Sequence, residues 1–215
     1  MKRRFPSINF ATSLLNLFAI IIAGGSVANE FRWGTIKQLL IRPISRGTIL
    51  LSKYVAVLVF VLLSVLSLLG VSFFIGLIMY GVPAVNPDIL VNRPDGLASN
   101  DILSEILLQS GFKFINIIIL ATFGFMLSSI FRSSALAIGL SMFMMFAGTT
   151  AAQALSQYAW AKYILFANTD LSVYFTSFGP IREEMTMGFS AAVIVVYMVI
   201  FIAATWLVFN KRNVV

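Results

Sequence analysis

Two acids four residues apart, Asp101 and Glu105, come nearest to a catalytic pair in this chain of 215 residues. On a helix they would share a face, the placement that paired-carboxylate chemistry needs. They stand in a stretch that also holds Asp88 and Asp95, and they read as solvated carboxylates. Other routes to chemistry are thinner. Cysteine and histidine are both absent, which removes thiol nucleophiles, disulfides and the commonest zinc ligands. It also removes the side chain that titrates near neutral pH without help. No Gly-x-x-x-x-Gly-Lys-Ser/Thr string occurs, so the sequence offers no loop to cradle ATP phosphates.

The richest local pattern runs from Glu30 to Lys53. It carries Arg32, Lys37, Arg42, Arg46 and Lys53 against the single acid Glu30, between two segments without any charge. Within Phe31–Arg42, the apolar residues Trp33, Ile36, Leu39 and Leu40, followed by Pro43, fall at helical spacing on one side. Arg32, Thr35, Lys37, Gln38 and Arg42 occupy the rest. Pro43 cannot continue a helix and biases Arg42 toward extended structure. Ser45 can cap a fresh helix through its hydroxyl, leading past Arg46 and Ile49 into the next apolar run. Two readings follow: a surface that docks a soluble partner, or a basic segment resting on anionic headgroups.

The elements that position this cassette are membrane spans. The chain is 60% hydrophobic and 11% charged, with a mean hydropathy of +0.97, where soluble domains carry roughly 25% charged residues. Five runs lack any Asp, Glu, Lys or Arg: Phe5–Asn29, Tyr54–Pro87, Phe114–Phe131, Ser133–Ala161 and Met185–Asn210. A span needs about 20 apolar residues. The expectation is an all-α polytopic membrane protein, one domain over 1–215, with five spans at about 12–29, 53–81, 112–131, 134–155 and 188–209. A cytoplasmic segment (30–52) and outer loops (82–111 and 156–187) join them. None of the charge-free runs holds an ionisable residue, which disfavours an ion-coupled carrier, although backbone carbonyls can hold sodium.

Lys and Arg mark cytoplasmic loops. The formal charge of +7 therefore belongs to membrane orientation, and nucleic acid is not expected as a partner. The Arg32–Lys53 loop, the turn at Arg132 and Lys211-Arg212 fall inside; the acidic stretch around Asp88–Glu105 falls outside. Only Lys2, Arg3 and Arg4 conflict with that layout, and an additional span upstream of them would resolve it.

Ser99-Asn100 reads as the start of a short interfacial helix ending near Gly111, with Ile102, Leu103, Ile106 and Leu107 as its apolar stripe. Between the last two spans, Tyr158, Trp160, Tyr163 and Tyr174 suit the headgroup level. That stretch reads either as two short helices dipping into the outer leaflet or as a surface loop. Small residues four apart (Gly24 and Ala28, Ala135 and Gly139, Gly148 and Ala152) mark close helix packing.

The order Glu30, Gly34-Thr35, Leu39-Leu40, Pro43, Ser45-Arg46, Lys53 resembles the segment after the second span of ABC-2 exporter permeases, those of bacitracin- and lantibiotic-type resistance above all. The resemblance extends from about Asn16 to Lys211-Arg212 and includes the basic turn at Arg132. It implies a coupling helix that docks into a groove of a separate cytoplasmic ATPase subunit, which would bind ATP and magnesium; this chain would bind no cofactor. The contact would fall on Glu30, Phe31, Arg32, Gly34, Thr35, Ile36, Lys37, Leu39, Leu40, Arg42, Pro43, Ser45 and Arg46. It further implies a homodimer or heterodimer of permeases in a bacterial cytoplasmic membrane, with six spans per chain where five are visible here. The expected function is the membrane subunit of an ATP-driven exporter, not itself an enzyme. A membrane scaffold without transport and a stand-alone carrier are the alternatives.

Overall fold

The computed structural model describes residues 6–34, 45–81, 88–93, 96–176 and 179–211. Its helices are α1 (Pro6–Ser26), α2 (Ala28–Trp33), α3 (Arg46–Tyr80), α4 (Ile102–Ile130), α5 (Ser134–Ala154), the single turn α6 (Leu165–Asn168) and α7 (Met187–Lys211). Two 3₁₀ turns, Ala159–Tyr163 and Leu171–Phe175, flank α6. α3, α4, α5 and α7 are each long and apolar enough to cross a membrane, and α1 contributes the shorter apolar stretch Thr12–Ser26. The chain is a polytopic helical membrane protein.

Helix starts follow from capping chemistry. Ser45 Oγ accepts from Thr48 N at 3.2 Å and Ser133 Oγ accepts from Leu136 N at 3.4 Å, each satisfying an N–H with no intrahelical partner. Arg132, between α4 and the Ser133 cap, sits at the tight basic turn expected there.

α4 is the central helix and packs against α1, α3, α5 and α7. α1, α4 and α7 run one way, α3 and α5 the other. One end of the bundle, the loop end, carries the connection between Trp33 and Ser45. The opposite, hairpin end carries a two-stranded ribbon. One core joins Ala19 and Ala23 of α1, Val27 just beyond its end, Val57 and Val61 of α3, and Ala121 and Phe125 of α4. A second joins Ile119 of α4 to Leu165, Leu171, Ile194 and Phe201. At about 1.5 Å per residue, the 35 residues of α3 reach roughly 52 Å, well beyond a hydrocarbon core of about 30 Å. It is packed from the loop end to about Leu69; Ile78, near the other end, is 84% exposed.

The hairpin end departs from the expected layout. β1 (Asp88–Arg93) and β2 (Gly96–Asp101) pair antiparallel from Asp88–Asp101 to Arg93–Gly96. Gly96 has φ +122°, a backbone conformation that side chains disfavour. Ser99-Asn100 therefore lies in a strand, not at a helix start. The helix begins at Ile102 and runs unbroken through Gly111 to Ile130, so no separate interfacial helix precedes the third span. An interior glycine costs a helix only about 1 kcal/mol, too little to end one that is otherwise well supported. Asp101 and Glu105 do not act as a solvated pair either: Glu105 is buried and accepts from Gln109 Nε2 at 3.0 Å.

The stretch between α5 and α7 packs inward. Asn168 is fully enclosed: its Nδ2 donates to Lys162 O and Ile164 O, both at 2.8 Å, and its Oδ1 accepts from Ser190 Oγ at 2.6 Å. Near its surface, Lys162 and Arg182 hold the Glu184 carboxyl below the usual carboxylate range.

Two of the three small-residue pairs lie at contacts. A Cβ on Gly24 would meet Ile138 at 2.9 Å, and one on Gly148 would collide with the Phe166 ring, whereas Gly139 has nothing within 4 Å. Gly148→Ala is accordingly expected to lower stability by about 1–3 kcal/mol through overpacking. Gly139→Ala should be neutral or stabilise by up to about 1 kcal/mol. Thermal unfolding of the two variants in detergent checks the contrast.

Candidate functional site

The break between α1 and α2, at Val27, is where the charged connection meets the core. Buried Val27 and Ala28 present backbone N–H groups that both donate to Ser128 Oγ of α4, at 3.0 and 2.9 Å. Ser128 is fully buried. On the other side of the break, Ser26 O accepts from Lys53 Nζ of α3 at 3.2 Å. Lys53 Nζ also donates to Glu30 Oε1 of α2 at 2.7 Å, with side chains 20% and 22% exposed. The break is thus tied at its donors to α4 and at its acceptor to α3. Leaving such groups unpaired away from water costs about 1–3 kcal/mol each, so the two ties hold the break in one geometry.

Neighbouring contacts tighten this end. Phe31 meets Phe209 of α7 edge-on at 6.5 Å, and Arg46 Nη1 donates to Asn210 O at 3.4 Å. Tyr54 hydrogen-bonds Thr122 through their hydroxyls at 2.9 Å and packs on Phe125 at 5.3 Å. Arg32 lies over the Trp33 ring at 5.6 Å, and Trp33 is 65% exposed. α2 closes at Trp33, where Gly34 takes φ 72° and its N–H caps Phe31 O at 3.4 Å. A left-handed glycine ends a helix, so the stripe expected over Phe31–Arg42 is interrupted at Gly34.

Of the residues expected at a partner contact, Glu30, Phe31, Arg32, Gly34, Ser45 and Arg46 gather at this end of the bundle. Thr35, Ile36, Lys37, Leu39, Leu40, Arg42 and Pro43 lie outside the described residues. Sequence reasoning missed Ser128 and the role of Ser26. Lys53, where the second span is expected to begin, lies two turns inside the helix that Ser45 caps, and it faces the break.

A family model matches residues 4–215, the whole bundle and both of its ends. The chain belongs to the DUF2705 family. That family is described as a protein of unknown function. The chain is 43% identical over 212 residues to the uncharacterized protein YhcI of Bacillus subtilis (strain 168), covering 97% of this chain and 67% of that protein. It is 30% identical over 213 residues to the uncharacterized membrane protein YdbK of the same organism, covering 97% and 80% respectively. The assignment to the ABC-2 permease family is thereby corrected. Its motif was a handful of residues in a basic loop between two spans. Charge, proline and serine recur in such loops because any chain that re-enters a bilayer needs solvation, a stop and a cap, so the pattern did not discriminate between families.

Proposed function

We propose that this DUF2705 protein is the membrane subunit of an ATP-driven exporter whose ATPase is a separate, soluble subunit that acts on the connection between Trp33 and Ser45. The observation that carries the reading is the pair of ties at the α1–α2 break. A load on this connection reaches α2 at one end and the start of α3 at the other. Ser128 then passes it to α4, and the Lys53 tie keeps α2 and α3 in step, so a local push moves packed helices together. A loop that merely rested on lipid would need neither tie.

Charge distribution supports the sidedness. Arg32, Arg46, Lys53, Arg132 and Lys211 lie at the loop end, with Glu30 as the acid among the described residues there. By the positive-inside bias this end faces the cytoplasm, in the bacterial cell membrane, where a soluble ATPase would find it. ATP and magnesium would be bound by that subunit, and two membrane chains, alike or different, would form the pathway.

The experiment is co-purification from native membranes with paired substitutions, Leu39→Ala and Leu40→Ala. Truncating a central apolar anchor costs about 2 kcal/mol or more of binding, roughly thirtyfold. Recovery of an ATP-hydrolysing subunit should fall accordingly while the chain still inserts. Unchanged recovery removes the connection as the docking surface. Absence of any ATPase from the native preparation favours a scaffold without transport.

A further inference from the structure

Toward the hairpin end, α1, α4, α5 and the α6 segment border a polar cleft of about 410 Å³, a volume suited to a small molecule. Lys113 and Asp170 stand on its wall, Nζ and Oδ2 3.6 Å apart, with side chains 22% and 45% exposed. The carboxylate is held in place from behind: Oδ1 accepts from Ser172 N at 3.1 Å and Ser172 Oγ at 2.6 Å, so Oδ2 is the oxygen presented to Lys113. Asn116 accepts from Asn16 Nδ2 at 3.2 Å and donates to Thr169 O at 3.1 Å. Asn16 Oδ1 is buried without a hydrogen-bond partner. The Thr149 hydroxyl, also on the wall, donates to its own helix at Phe146 O, 3.0 Å away. Its oxygen is left to accept.

Among its described residues the cleft therefore presents one cation, Lys113, beside the Asp170 carboxylate, the acceptors of Asn16 and Thr149 and the hydroxyls of Thr12 and Ser13. A ligand of net charge would break the Lys113–Asp170 pair and replace the partner of only one of them, whereas a zwitterion replaces both, beside the apolar walls of Leu120, Met145 and Phe166. We propose that the cleft binds a small zwitterion, its primary ammonium against Asp170, Thr149 and Asn16 and its anionic group against Lys113. A quaternary ammonium would lack the N–H donors these acceptors require. Among the described residues of the lining, Phe166 is the one aromatic, too few for the aromatic cage that recognises such cations. The same chemistry belongs to an ethanolamine-phosphate lipid headgroup and to a free amino-acid-sized zwitterion. The proposal rests on the cleft and is independent of any ATPase.

The test titrates glycerophosphoethanolamine and glycerophosphocholine into the purified chain by calorimetry, alongside native mass spectrometry of lipids retained from the membrane. The ethanolamine compound should bind, with the choline compound at least about tenfold weaker. Lys113→Gln and Asp170→Asn should each weaken binding by a similar factor; Asn keeps the Oδ1 acceptor for Ser172. Lys162→Gln, outside the cleft, should not. Retention of an ethanolamine phospholipid by the parent chain but not by Lys113→Gln, with no binding of the soluble compound, identifies the lipid as the source. Equal binding of the choline compound, binding indifferent to both cleft substitutions, or neither binding nor retention overturns the proposal.

Discussion

Ser128→Ala should destabilise the protein by roughly 2–3 kcal/mol, because it strands the N–H groups of Val27 and Ala28 at a buried break in the helix. Its neighbour is the control. Ser129 is equally buried, but its hydroxyl donates to Phe125 O of its own helix at 3.3 Å. Ser129→Ala removes donor and need together, so its cost should stay below about 1 kcal/mol. Denaturant or thermal unfolding in detergent distinguishes the two. Equal losses would mean that Ser128 contributes packing alone and that the break is not held through it.

The second large effect concerns Glu30 and Lys53. Glu30→Leu leaves the ammonium of Lys53 with Ser26 O but without its 2.7 Å carboxylate. Breaking one side of a buried pair costs about 3–5 kcal/mol; partial exposure here reduces that to about 1–3 kcal/mol. Adding Lys53→Met should recover much of the loss, because no uncompensated charge then remains. The coupling from a double-mutant cycle should fall between about 0.5 and 3 kcal/mol. Additive losses would show that the two side chains act separately on the break.

Much of the bundle was legible because bilayer thickness and charge exclusion act on long windows. The runs Ser133–Ala161 and Met185–Asn210 correspond to α5 and α7 within a few residues at the start, and Ser45 caps α3 as its hydroxyl and position suggested. What escaped depends on contacts between distant segments. Nothing local distinguishes Ser128 from Ser129; only the approach of α1 does. The cleft draws Asn16, Lys113, Thr149 and Asp170 from four separate stretches, so no spacing announces it. The hairpin had a local signature, Pro94-Asp95-Gly96, whose residue types favour a turn. It was overlooked because the helical stripe at Ile102–Leu107 drew the boundary too early. Glu105 was misjudged for a related reason: a carboxylate in an acidic stretch reads as solvated until Gln109 and the rest of the bundle enclose it.

A single cysteine tests the central claim most directly, since the native sequence has none. Ser13 lies exposed on the cleft wall at the hairpin end, far from the connection on which an ATPase would act. With Ser13→Cys in native membranes, the rate of thiol modification should change several-fold when magnesium-ATP is added. The change should vanish when Leu39→Ala and Leu40→Ala are also present. A rate that is the same with and without magnesium-ATP, in membranes shown to contain the intact complex, would contradict the account.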